Sequence, residues 1–152
     1  MTLTQKENSF LCDLKSQEQL CIEKYSKYAT MAHDPALKQL FGDISRTEQA
    51  HLSTICEILG GKEVSMPSES PSATAAKITP SPSPCDADDK QEDGYLCRDS
   101  LAMEKHVSAV YDTAVFEFTS PVLRDTLAHI QKEEQNHGEM LYNYLAANGM
   151  YS

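Results

Sequence analysis

The sequence predicts an all-α protein, a four-helix bundle built from two repeated helical hairpins joined by a long Pro/Ser-rich crossover. Three observations carry that reading. Apolar residues recur at the three- and four-residue spacing of a helix over four long stretches. Helix-start pairs (Asp34-Pro35, Ser120-Pro121) and helix-stop pairs (Gly60-Gly61, Asn148-Gly149) punctuate those stretches. The second half of the chain repeats an acid-and-histidine pattern of the first at an offset of 86 residues.

The first helix runs from about Thr4 to Ala32, with Leu11, Leu14, Cys21, Tyr25 and Tyr28 on one stripe. Asp34 is a good N-cap and Pro35 suits the first helical position, so a second helix starts there and carries Leu37, Phe41, Ile44, Ile55 and Leu59 to Gly60-Gly61. Residues 61–92 differ in kind. Met66-Pro67, Pro71, Pro80, Pro82 and Pro84 stand among serines and alanines, followed by an acidic run of Asp86, Asp88, Asp89, Glu92 and Asp93. That composition reads as a linker that builds no core. A third helix follows from about Glu92 to Phe118, with Val107, Tyr111, Ala114 and Phe118 in register. Ser120-Pro121 opens a fourth, which carries Leu123, Leu127, Ile130, Leu141 and Tyr144. The chain of 152 residues is thus one domain: a hairpin over 4–60, a linker over 61–92 and a hairpin over 93–148. Extended, the linker reaches roughly 100 Å, enough to run the length of a bundle, where an up-down-up-down arrangement needs only a short turn.

The repeat has a chemical core. Glu18, Glu48 and His51 map onto Glu104, Glu134 and His137 by adding 86. Asp13, Tyr25, Pro35, Leu37, Ile44, Gln49 and Leu59 likewise find an identical residue at that offset, which makes ten identities between 13–59 and 99–145. The halves have drifted far apart, yet all three chemical positions agree. Each also falls on a core stripe: Glu18 after Leu11 and Leu14, Glu48 and His51 after Leu37, Phe41 and Ile44, and their counterparts on the third and fourth helices. Isolated buried carboxylates cost several kcal/mol each or take up a proton. Two divalent cations bridged by carboxylates relieve that cost; a hydrogen-bonded layer of Glu, His and Tyr that fixes helix register is the alternative.

Composition narrows the partners. A net charge of −10 and a pI near 4.8 argue against nucleic acid and anionic membrane. No apolar run reaches the ~20 residues that span a bilayer, and the polar stretch Met1 to Phe10 lacks a signal-peptide apolar region, which predicts a cytoplasmic chain. The five cysteines (12, 21, 56, 85 and 97) form no C-x-x-C, so no rubredoxin-type iron site or zinc ribbon is encoded. They read as reduced packing thiols, except Cys85, which the linker composition leaves free to cross-link. Glu23, Glu57, Glu117, Glu133 and Glu139 read as solvated-face charge, and His33, His106 and His129 as surface residues.

One Glu from each of two helices plus a Glu-x-x-His from each of the other two resembles the ligand set of the ferritin-like superfamily. The Glu-x6-Tyr spacing of Glu18 to Tyr25, repeated from Glu104 to Tyr111, is similar to rubrerythrins. The stretches 34–41 (DPALKQLF) and 148–151 (NGMY) resemble the spore coat protein F family of endospore-forming bacteria. The resemblance implies a ferritin-like bundle with two metal ions, iron or manganese (zinc fits the same donors), on Glu18, Glu48, His51, Glu104, Glu134 and His137. Glu48 and Glu134 would bridge, each His would cap one ion, and Glu18 and Glu104 would bind terminally. Tyr25 and Tyr111 would lie beside the metals as the catalytic tyrosines; their plain alternative is a core role with a satisfied hydroxyl. The implied function is redox chemistry on O2 or peroxide during sporulation, in a homodimer deposited on the spore coat with other coat proteins. The competing expectation is a structural coat protein whose Glu/His layer is a polar core. The absence of a rubredoxin module separates the chain from a complete rubrerythrin.

Overall fold

The computed structural model describes residues 2–65 and 80–151. These form four α-helices: α1 (Gln5–Met31), α2 (Pro35–Leu59), α3 (Ala87–Glu117) and α4 (Pro121–Ala147). α1 packs along α2 and α3 along α4; α1 also faces α3, and α2 faces α4. No described helix is long and apolar enough to cross a membrane.

Local chemistry sets the ends. Thr4 caps α1 in a reciprocal box: its hydroxyl accepts from Glu7 N–H at 3.1 Å, and Glu7 Oε2 accepts from Thr4 N–H at 2.8 Å. Asp34 caps α2 through Ala36 N–H, Ser120 caps α4 through Leu123 N–H, and a proline follows each cap. Gly61 (φ 77°) and Gly149 (φ 65°) take the left-handed conformation that ends α2 and α4.

The acidic run is the main departure from the sequence expectation. α3 begins at Ala87, inside the stretch assigned to the linker. Asp86 is its N-cap, accepting from Asp89 N–H at 2.9 Å, and Asp88 and Asp89 occupy the first turn. There negative charge is favourable, because unpaired backbone N–H groups and the helix dipole make that end positive. Cys85 is also tied down rather than loose: it is half-buried, its N–H donates to Ser83 Oγ, and Ser83 N–H donates to Asn148 Oδ1 at 2.7 Å. The proline-rich stretch 66–79 lies outside the described residues.

The two hairpins hold each other's turns. Asp93 of α3, fully buried, accepts the backbone N–H groups of His33 (2.8 Å) and Asp34 (2.9 Å) in the α1–α2 turn. Glu7 of α1 accepts the N–H (2.9 Å) and hydroxyl (3.0 Å) of Thr119 in the α3–α4 turn. Glu7 and Asp93 are separated by 86 residues, as are His33 and Thr119. Asp93, the last residue of the acidic run, is thus not solvated charge: it is buried and accepts from two backbone N–H groups. Between the turns, Leu11, Leu14, Phe41, Ile44, Ile55, Val107, Leu127 and Leu141 form the dry core.

Candidate metal centre

Every sequence-predicted ligand lies inside the bundle. Glu18, Glu48, His51, Glu104, Glu134 and His137 are each at most 3% exposed. Each helix delivers its residues because they take positions on its buried stripe, among Leu, Ile and Phe on α2, Leu, Ile and Tyr on α4, Leu11, Leu14, Cys21 and Tyr25 on α1, and Cys97, Ser100, Val107 and Tyr111 on α3. The result is two overlapping groups of ligand atoms. Glu18, Glu48, His51 and Glu134 form one; Glu48, Glu104, Glu134 and His137 form the other; within each group the atoms lie within 4.8 Å of one another. Glu48 and Glu134 are common to both.

The histidines turn the same nitrogen inward. His51 Nδ1 lies 3.1 Å from Glu48 Oε2, 3.2 Å from Glu134 Oε1 and 3.7 Å from Glu18 Oε1. His137 Nδ1 lies 3.2 Å from Glu48 Oε1, 3.4 Å from Glu134 Oε2 and 3.6 Å from Glu104 Oε1. Their ring centroids are 6.0 Å apart and their planes are inclined at 29°. The tyrosines cross between hairpins: Tyr25 O–H donates to Glu104 Oε1 and Tyr111 O–H donates to Glu18 Oε1. Both tyrosines are fully buried, so each hydroxyl anchors the carboxylate contributed by the opposite hairpin.

Burial, followed by contact with the other glutamates, pushes the Glu18 carboxyl up to about 9 and holds Glu104 well above the carboxylate range. Burial acts the same way on Glu48 and Glu134, but the close approach of the His137 and His51 rings and of the neighbouring glutamates outweighs it and lowers both. Burial opposes charge on the imidazoles; the carboxylates around them win, and both rings are held well above the ordinary histidine value. In the metal-free layer the two rings are thus held toward their charged form beside Glu48 and Glu134, while burial works against charge on Glu18 and Glu104. Burial first, and then the four glutamates, push the Cys21 thiol up as well. Cys21 belongs to neither ligand group and packs as a neutral side chain.

These contacts do not satisfy every atom. Among the described residues, Glu18 Oε2, Glu48 Oε1, Glu104 Oε2, both Glu134 oxygens and His137 Nδ1 are buried without a hydrogen-bond partner. Buried polar atoms are seldom left so, and six in one layer, all acceptors or a ring nitrogen, have the chemistry of a cation site.

One residue departs from its expected role. Glu133, read as solvated-face charge, is only 28% exposed at its side chain and places Oε2 2.5 Å from His51 Nε2. His129 Nε2, also expected at the surface, lies 3.5 Å from the other Glu133 oxygen. Glu133 sits one position off the α4 stripe, and its partner is 82 residues away on α2, so no local spacing reveals it. A cleft of about 420 Å³ between α3 and α4 is lined by Glu104 and Glu134, with Leu101, Ser108 and Gly138 beside them and the half-exposed Tyr142 and Tyr151.

Comparison with known families adds one finding. Residues 92–152 match the Coat F domain. The Coat F segment takes in most of α3 and all of α4, and with them Glu104, Tyr111, Glu133, Glu134 and His137. The α1–α2 hairpin, including the stretch 34–41 that resembles the same family, lies outside the matched residues. No curated protein and no solved structure matches the chain.

Proposed function

We propose that the chain is a ferritin-like di-metal carboxylate protein of the spore coat F type, whose buried layer binds two iron or manganese ions. The observation that carries this reading is the pair of overlapping ligand groups sharing Glu48 and Glu134, with six buried polar atoms lacking any other partner. Glu48 and Glu134, common to both groups, would hold both ions. His51 and Glu18 would complete one position, His137 and Glu104 the other. Nδ1 is the nitrogen of each histidine that faces the carboxylates and would be the ligand atom. Iron or manganese held there supplies the +2/+3 couple needed to reduce O2 or peroxide with electrons from an external one-electron donor. The chain's own residues set the conditions for that chemistry. Tyr25 and Tyr111 hold the terminal carboxylates in place by donating to one oxygen of each. The packed leucines and isoleucines above and below keep bulk water from the layer. The cleft lined by Glu104 and Glu134 is where a molecule the size of peroxide would approach the layer.

The test is turnover. Protein loaded with iron or manganese should consume peroxide or O2 in the presence of a reductant, and Glu48→Gln and Glu134→Gln should abolish this while remaining folded. Loaded wild-type protein without turnover would leave the second reading, which the Coat F match favours: a structural component of the spore coat, stabilised by the same layer. That reading predicts unchanged coat assembly in both Gln variants.

A further inference from the structure

The two metal positions share their bridging carboxylates and match in residue type, yet their surroundings differ at one place. Behind His51, on the side away from the layer, stands Glu133: its Oε2 is 2.5 Å from Nε2, and its other oxygen meets His129 at 3.5 Å. Behind His137 no described carboxylate approaches Nε2; every acid near that ring is on the Nδ1 side. The residue that precedes Glu48 as Glu133 precedes Glu134 is Thr47, which is uncharged and whose hydroxyl donates to the Asp43 carbonyl of its own helix.

We infer that the two positions are inequivalent, and that Glu133 makes the His51 position the tighter and the first to fill. This inference rests on the di-metal reading of the layer. The physical reason is specific. An imidazole coordinates through one nitrogen only if the other carries the proton, and a carboxylate accepting that N–H fixes the tautomer, orients the ring and raises its basicity. Glu133 is placed to do this for His51: once a metal ion replaces the proton on Nδ1, which faces Glu18, Glu48 and Glu134, the Nε2–H would donate to Oε2. It also adds a negative charge in direct contact with that ring, whereas it reaches His137 only through space and more weakly. Because it is half-buried between α2 and α4, solvent screens that charge only in part. Glu133 is thus a positioning residue that touches no metal. Outer partners of this type are worth 10- to 100-fold in metal affinity when removed.

The test is a Co(II) titration of the full chain after chelator treatment and removal of the chelator, followed by visible absorbance and by equilibrium dialysis. Wild type should fill in two steps. In Glu133→Ala the first step should weaken by roughly 10- to 100-fold and the second should stay put; Glu133→Gln, which keeps an acceptor but no charge, should fall between. Glu104→Gln, which removes a ligand from the His137 position alone, assigns the step: the remaining site should keep the tighter affinity, and adding Glu133→Ala to it should weaken that site. A merely structural Glu133 would lower the melting temperature of the metal-free protein without changing one step selectively. Two equal sites, or a Glu133→Ala effect shared by both, would overturn the inference while the di-metal reading stands. Failure of wild type to bind Co(II) at all would overturn both.

Discussion

The two hairpins present the same chemistry in different settings. Each delivers a Glu from one helix, a Glu and a His from the next, and a Tyr that reaches across to the other hairpin's carboxylate. Each also sends a buried acid, Glu7 or Asp93, to hold the other's turn. Around that shared frame the α3–α4 hairpin adds Glu133 and most of the lining of the cleft, and it alone falls in the Coat F match. The α1–α2 hairpin supplies His51, the ring on which Glu133 acts, but nothing equivalent in return. The difference teaches that residues inside the layer are constrained by one another, whereas residues one helical step outside it are free to diverge.

The bridging residues offer the largest effect with which to break this comparison. Metal bound at 100 times its dissociation constant stabilises a protein by about 2.7 kcal/mol per site. Glu48→Gln and Glu134→Gln each remove a ligand common to both positions, so the gain in melting temperature on adding Mn(II) should vanish for both sites, seen by calorimetry. Glu18→Gln and Glu104→Gln each touch one position and should remove only part of that gain, the larger part in Glu18→Gln, which strikes the tighter His51 position. Equal losses from all four variants would mean that the bridging and terminal roles are wrongly assigned.

The tyrosines come next. Tyr25→Phe and Tyr111→Phe remove one buried donor each from Glu104 and Glu18, which should cost the metal-free protein about 1–2 kcal/mol in denaturant unfolding. Because the two bonds mirror each other, the costs should agree within about 0.5 kcal/mol; a larger gap would show that the hairpins are already unequal at the layer itself.

The smallest effect is at the turns. Glu7→Gln should destabilise by about 1 kcal/mol near neutral pH, since the charged acceptor for Thr119 and Thr4 is lost. Backbone N–H groups of Thr119 and Thr4 hold the Glu7 carboxyl down at about 2, below the ordinary 4.5. Its contribution is therefore full above pH 4.5 and disappears as the pH falls toward 2. Unfolding free energies of wild type and Glu7→Gln should converge over that window. Curves that stay parallel down to pH 2 would show that Glu7 is not the group that titrates. A substitution at the exposed Glu57, by contrast, should stay within about 0.5 kcal/mol at any pH.

Much of this was legible in the sequence because it is written locally. Asp34-Pro35, Ser120-Pro121, Gly60-Gly61 and Asn148-Gly149 mark helix ends through backbone chemistry that depends only on neighbours. The six layer residues were legible because helical periodicity puts them on stripes whose other members are mostly apolar. The start of α3 was missed because acids that suit a first helical turn have the same composition as a solvated tether. Asp93 and Glu133 were missed for a different reason. Each looks like surface charge on its own helix and becomes buried or paired only through residues about 60 and 82 positions away. A single chain carries no mark of such a partner.

The central claim is that six buried residues hold two metal ions, and metal content tests it most directly. Elemental mass spectrometry on untagged protein purified without chelator should find about two equivalents of iron or manganese per chain, lost in Glu48→Gln. A folded wild-type protein that carries no metal and takes none up would contradict the account and leave the layer as a polar core.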